Sequence, residues 1–373
     1  MKTSRAFRAL GGFAIAAPLL LCLTEVALSS DTPSPPKTQG FSLKTPPKIA
    51  MIYYDRKSDG GWIAAFETAR LQLEKELGVE IAYEQNVTES SAHAIAASER
   101  FISEGYNIII GTGSYYSDTF QTLATRNPDI AFLNAAGTSN GPNLQSFYGR
   151  TFDSHYLCGM VAGAMSKHHK IGYVAAREIP VVNWGVNGFI LGVRQSDPDG
   201  TVMARYNNDW ANPRQEAFNA NTLIDLGADV IGQHVNTPTP QLVAQARGAL
   251  GTGHHSDMSK TAPKATVCSS VWRWGRYLLP ELKEIMAGNW KPDPEGDLPS
   301  FRDGPTDIVL NMTLVPEDLA RRVMKERQAL FDGKDVFVGA LDQNGMPLPI
   351  AGPTPSRAEL WAMDWHVEGF TTP

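Results

Sequence analysis

The residues in this chain best suited to do chemistry are aromatic rather than catalytic. Trp62 stands in the turn Asp59-Gly60-Gly61-Trp62-Ile63, after the apolar run 48–54 and at the start of a helical pattern. Trp210 stands in Asn207-Asn208-Asp209-Trp210-Ala211-Asn212-Pro213, after the run 201–206. Facing each other, two indoles enclose a flat ring, and stacking on a base is worth about 1–3 kcal/mol per face. Specificity must then come from polar groups at the ring's edge, because buried polar atoms left unpaired are costly. Ser114 and Tyr115, in the glycine-rich, hydroxyl-bearing turn 111–118, are candidates for such contacts. Gly60 and Gly61 leave backbone N–H groups bare for close approach to a ligand. A plainer role competes. Trp62 and Phe66 lie four residues apart, as core residues of a helix do, and Trp210 suits a staple before a helix. The equivalent placement of the two tryptophans in two similar series favours the cleft.

Reactive constellations are scarce. The sequence holds no nucleophile elbow, P-loop, HExxH or CxxC. His254, His255 and Asp257 are metal-binding residue types, but adjacent histidines point apart on a strand or loop, so a solvated or hydrogen-bonding role is expected. His168 and His169 read as a solvated turn. Asp55, Asp59, Asp118 and Asp153 lack the paired spacing of acid–base chemistry. Neither a catalytic residue nor a metal or other cofactor is expected, and the chain reads as a binder.

The elements that position these residues follow from length and pattern. With 373 residues, 42% hydrophobic and 19% charged, the chain can build two domains with substantial cores. A net charge of -6 argues against a nucleic-acid surface. Lys2, Arg5 and Arg8, the short apolar stretch 11–23 and Ala27-Leu28-Ser29 read as a secretory signal peptide over 1–29, giving a periplasmic destination. Leu21 before Cys22 disfavours lipid attachment there. Residues 30–46 are proline-rich and read as a flexible tether. Strands are predicted at 48–54, 80–85, 107–112 and 130–135, with helices at 61–77, 91–104 and 117–126. A bridging strand at 146–152 leads to a second series, with strands at 170–176, 201–206 and 229–234 and helices at 156–167, 184–195 and 214–226. That is an α/β chain of doubly wound parallel sheets, whose ligands sit at the carboxyl ends of strands. Cys158, in a helical pattern, and Cys268, in a strand pattern, read as two buried thiols.

The ordered series D-x-G-W, "YGRTF", "CGMVAGAMSKHHKIGYVAA", "NDWANP", "LIDLGADVIGQH" and "HHSDMSKTAPKA" resembles the basic membrane protein family, over nearly all of residues 47–370. These are substrate-binding lipoproteins of ABC importers and include purine and purine-nucleoside receptors. The resemblance implies a type I periplasmic-binding fold: two doubly wound parallel-sheet lobes joined by three crossovers. Lobe I would hold 47–152 plus about 265–305, and lobe II 153–264 plus about 306–373. It implies an aromatic sandwich by Trp62 and Trp210, polar contacts from Asp257 and Asn187, and Asp153 where adenine-binding relatives carry a glutamate. The first turn departs from the D-K-S-F-N of nucleoside receptors, which leaves base and nucleoside both open. The expected partners are a purine-like small molecule and an ABC permease, not nucleic acid, and a monomer is expected. A ligand-presenting sensor for a membrane kinase and a nucleoside-cleaving enzyme are the rival readings.

Overall fold

Short apolar runs followed by glycine or polar turns build the first sheet. The computed structural model describes residues 40–88 and 90–373. β1 (Ile49–Ile52), β2 (Ile81–Glu84), β3 (Ile108–Gly111), β4 (Ala131–Ala135) and β5 (Leu144–Phe147) form an all-parallel sheet in the order β2-β1-β3-β4-β5. β1 and β3 are buried at every residue, as unbroken Ile-rich strands covered on both faces must be. The helices α1 (Trp62–Leu77), α2 (Ser91–Ser103) and α3 (Ser117–Arg126) make the connections.

The same grammar then repeats. α4 (Thr151–Met165), β6 (Lys170–Ala175), α5 (Pro180–Ser196), β7 (Thr201–Tyr206), α6 (Pro213–Asp225), β8 (Val230–His234), α7 (Thr239–Arg247), β9 (Leu250–Gly253) and β10 (Thr266–Trp272) follow in turn. Their strands are ordered β7-β6-β8-β9-β10, matching strand for strand the order of the first sheet. After α8 (Trp274–Ala287), β11 (Thr306–Leu310) adds an antiparallel edge beside β10. α9 (Glu317–Phe331) packs on α4; α10 (Arg357–Trp361) and β12 (Phe370–Thr371) follow, and β12 closes the far edge beside β7. The architecture is a type I periplasmic-binding fold.

The chain passes between the sheets three times. It leaves β5 for α4, which packs on β10 and α5; it leaves β10 for α8, which packs on α1; and it returns to β11. Before that last return, Trp290 bridges Phe41 and Asp297 bridges Phe147 at the first sheet.

Four expectations need correction. The bridging strand ends at Phe147, and residues expected to complete it open α4 instead. Residues 151–163 of α4 are all buried, so the helix shows no polar face to mark where it begins. The strand Thr266–Trp272, expected in the first lobe, is hydrogen bonded into the second sheet, so the passage falls at Arg273. The expected tether is ordered at its end. Phe41 is buried, its N–H donates to the Trp290 carbonyl at 2.9 Å, and its ring meets that indole edge-on at 5.6 Å. The signal peptide, Cys22 and the rest of the tether lie outside the described residues. Among the described residues, no helix is long and apolar enough to cross a membrane. Cys158 and Cys268 are buried free thiols whose sulfurs lie 2.8 Å apart, joining α4 to β10.

Candidate functional site

A cavity of about 270 Å³ opens between the carboxyl ends of the two sheets, where ligands of such sheets bind. Its walls are largely aromatic. Trp62, Tyr115, Tyr148, Trp210 and Trp361 all line it, with Ile179, Pro180 and Val181 at the start of α5. Thr112, Ser114, Thr138, His234, Asn236 and His255 add polar atoms. No Asp, Glu, Lys or Arg is among the described lining residues.

The structure brings together four of the residues singled out by sequence: Trp62, Trp210, Ser114 and Tyr115. Trp62 is also core. It is 7% exposed, its Nε1–H donates to the Thr112 carbonyl at 2.7 Å, and it stands edge-on to Trp272 and Trp274 at 5.2 Å each. Trp62 is therefore part of the core and part of the cavity wall at once. Trp210 is half-buried, with the Arg177 guanidinium 5.9 Å from its ring centroid. Ser114 and Tyr115 are exposed on the rim.

The other candidates serve elsewhere. Asp257 caps a 3-10 turn, accepting from the Ser259 N–H at 3.1 Å. Asn187 is buried on α5, donating to the Trp365 carbonyl at 2.9 Å and accepting from the Val367 N–H at 3.2 Å. Asp153 is buried in the first turn of α4, accepting from Arg150 Nε at 2.8 Å. None of the three lines the cavity.

The glycine pair has a different purpose from the one expected. A Cβ on Gly61 would lie 2.5 Å from the Asn236 carbonyl oxygen. The bare position thus admits backbone from the loop after β8, not a ligand. Gly60 has φ +78°, and its carbonyl accepts from Ser256 Oγ at 3.1 Å. Asn236 Nδ2 donates to Tyr54 Oη at 3.3 Å. These contacts join the two strand-end surfaces around the cavity. Asp59 orders the same turn by accepting from the Gly61, Ile63 and Ala64 N–H groups, each at 2.9 Å.

A polar side chain of the cavity wall that sequence reasoning did not single out is His234. It ends β8, is 1% exposed, lines the cavity, and has no hydrogen-bond partner for either ring nitrogen among the described residues. Burial pushes its pKa down to about 4, so the ring is neutral at neutral pH. His155, His254 and His255 crowd against it, all held well below the usual histidine range by burial first and then by neighbouring imidazoles. The Trp272 Nε1–H donates to His255 Nδ1 at 2.8 Å. The proton of that neutral ring is therefore on Nε2, which donates to Asn236 Oδ1 at 2.9 Å. The signal that could have found His234 was its place as the last residue of a strand, directly before a polar turn.

Two sheets of matching order around an aromatic cleft are an architecture shared by extracytoplasmic solute-binding proteins of ABC transporters. The chain belongs to the Bmp family, ABC transporter substrate-binding protein PnrA-like, whose family model matches residues 47–294. Proteins of this family bind a small molecule and work with a permease. A purine-binding protein of Brucella abortus is 30% identical over 327 residues, 86% of this chain and 92% of that protein. A putative ABC transporter glucose-binding protein of Haloferax volcanii is 30% identical over 245 residues, 65% of this chain and 62% of that protein. Among solved structures, an ABC transporter solute-binding protein of Conexibacter woesei superposes with a TM-score of 0.66 at 20% identity, covering 77% of this chain and 97% of that one.

Proposed function

We propose that this receptor captures a small, uncharged heteroaromatic solute, a purine base before a nucleoside, in the periplasm and without chemical change. The observation that carries the reading is the cavity wall: aromatic, with no charged side chain among the described lining residues. A zwitterionic amino acid would bury two charges without partners there, at heavy cost. A sugar would find no carboxylate or guanidinium among the described lining residues to pair its hydroxyls by charge-assisted hydrogen bonds. A flat base satisfies both demands, its faces against Trp62 and Trp210 and its edge toward His234 and Asn236. With Asp257 outside the lining, no carboxylate awaits a ribose. The volume of about 270 Å³ lies just below the roughly 300–1,000 Å³ typical of ligand sites. The wall also lacks the carboxylate pair that glycosidic cleavage needs, so nucleosides mixed with the protein should stay intact.

A ligand that binds only the folded, closed form raises the melting temperature by mass action. Thermal-shift screening with purine bases, nucleosides, sugars and amino acids should give its largest shift with a base. A shift from glucose or an amino acid, with none from any purine, overturns the reading.

A further inference from the structure

Beneath the cavity, imidazoles from three distant parts of the chain converge: His155 on the second turn of α4, His234 at the end of β8 and His254 just after β9. We propose that these three histidines form a site for a divalent late first-row transition metal ion, open on its fourth side toward the cavity. This goes beyond the reading of the solute and does not depend on it.

The geometry supplies the ligands. One nitrogen from each ring lies within 4.8 Å of the other two, and all three residues are buried. Zn–N bonds of about 2.0–2.1 Å in a tetrahedron put ligand nitrogens about 3.4 Å apart. His155 Nε2 and His254 Nδ1 already stand 3.0 Å apart, and rotation of an imidazole about χ2 closes the wider gaps. His255, the fourth ring of the cluster, is not a ligand because both its nitrogens are engaged by Trp272 and Asn236.

Unpaired atoms point the same way. Both nitrogens of His234 have no hydrogen-bond partner among the described residues. A buried polar atom left unpaired costs about 1–3 kcal/mol, and a metal ion uses such lone pairs directly. His234 can give one nitrogen to the ion and keep the other for the cavity. An outer partner is in place too. Tyr173 Oη lies 3.0 Å from His155 Nδ1, and with Nδ1–H donating to that oxygen the Nε2 lone pair faces the ion. Three imidazoles without a carboxylate suit Zn2+, Ni2+ or Cu2+ and not Mg2+ or Ca2+. Entry is through the cavity, which His234 lines.

The test uses Zn2+ alone, with no solute present. Protein without a histidine tag is titrated against a chromophoric chelator. One equivalent should bind; Tyr173→Phe should weaken it by about 10–100-fold, and His155→Gln, His234→Gln or His254→Gln by more. Should those variants fold poorly, the X-ray absorption spectrum of Zn2+-loaded wild-type protein decides, with three imidazole nitrogens expected at about 2.0–2.1 Å. Failure of the wild-type protein to compete for Zn2+ overturns the proposal. So does binding that survives the three substitutions, as it would at the exposed His93 or His168, or a spectrum with fewer than three imidazoles.

Discussion

Trp62 and Trp210 line one cavity but are held by different forces, and that separates what their loss should do. Trp62 is enclosed by Trp272, Trp274 and the Thr112 carbonyl. Trp62→Ala is expected to cost about 3–5 kcal/mol of folding stability as well as affinity. Trp210 is half-buried, so Trp210→Ala should weaken solute binding by about ten- to a hundredfold and leave the ligand-free melting temperature near wild type. Calorimetric titration beside thermal melts of both variants checks this, and unchanged affinity in a folded Trp210→Ala protein removes the stack. The tryptophans were legible because each follows a strand and precedes a helix, a pattern carried by neighbours in sequence. The imidazole cluster was not, because residues 155, 234 and 254 meet only when α4 has packed onto β8 and β9 of the second sheet. Asp257 and Asn187 misled for a related reason: polar residues near strand ends also cap turns and hold tails, and only tertiary contacts tell these roles apart.

At the scale of elements, α4 and α5 lie in unusually close contact. A Cβ on Gly159 would collide with the Phe189 carbonyl, and one on Gly192 with the Tyr156 carbonyl, so the two backbones touch where side chains normally intervene. Gly192→Ala must push the helices apart, and overpacking of this kind costs about 1–3 kcal/mol or more. A lowered chemical-denaturation midpoint is the expected result. Unchanged stability would show that the helices separate freely. A second device joins α8, β11 and α9: Asp307 accepts from Arg276 at 2.6 Å and from Arg327 at 2.7 Å through each oxygen. Burial alone would raise the Asp307 pKa. The Arg327 hydrogen bonds, the Ile308 N–H and both guanidinium charges outweigh it and hold the carboxyl below its usual range. A depressed carboxylate pKa stabilises the fold in full above the unfolded value of about 3.9 and loses that stabilisation as pH falls through the folded value. Asp307→Asn should therefore melt well below wild type at neutral pH, with the gap narrowing in acid. A gap that stays constant with pH would assign the loss to shape and not charge. The strand and helix series was legible from period alone, whereas α4 was misplaced at its start because a helix buried on every side has no apolar stripe to read.

For the whole molecule, the contacts of Gly60 and Gly61 with Ser256 and Asn236 join the two strand-end surfaces across the cleft. Gly61→Ala places a methyl group against the Asn236 carbonyl, so it should act against closure while leaving each sheet intact. The expected outcome is a loss of about ten- to a hundredfold in solute affinity, from about 1–3 kcal/mol of added strain. Small-angle scattering should then find the protein more open with solute present than the wild type is. Full affinity and a wild-type scattering curve would show that the loop yields instead.

The three passages between sheets bear on the order in which the molecule can be assembled. Phe66 on α1 stacks with Trp274 at 4.5 Å, and Phe147 on β5 with Tyr277 at 4.7 Å. Every strand of the first sheet has been made by residue 147, yet the helix that covers those rings begins at Trp274. While the whole second βα series is being synthesised, a growing chain thus carries an apolar face with nothing to bury it. Contacts so distant in sequence close late and slowly, and surface left waiting in this way invites aggregation. The first lobe, although first to be translated, is completed only after the five strands β6 to β10 of the second.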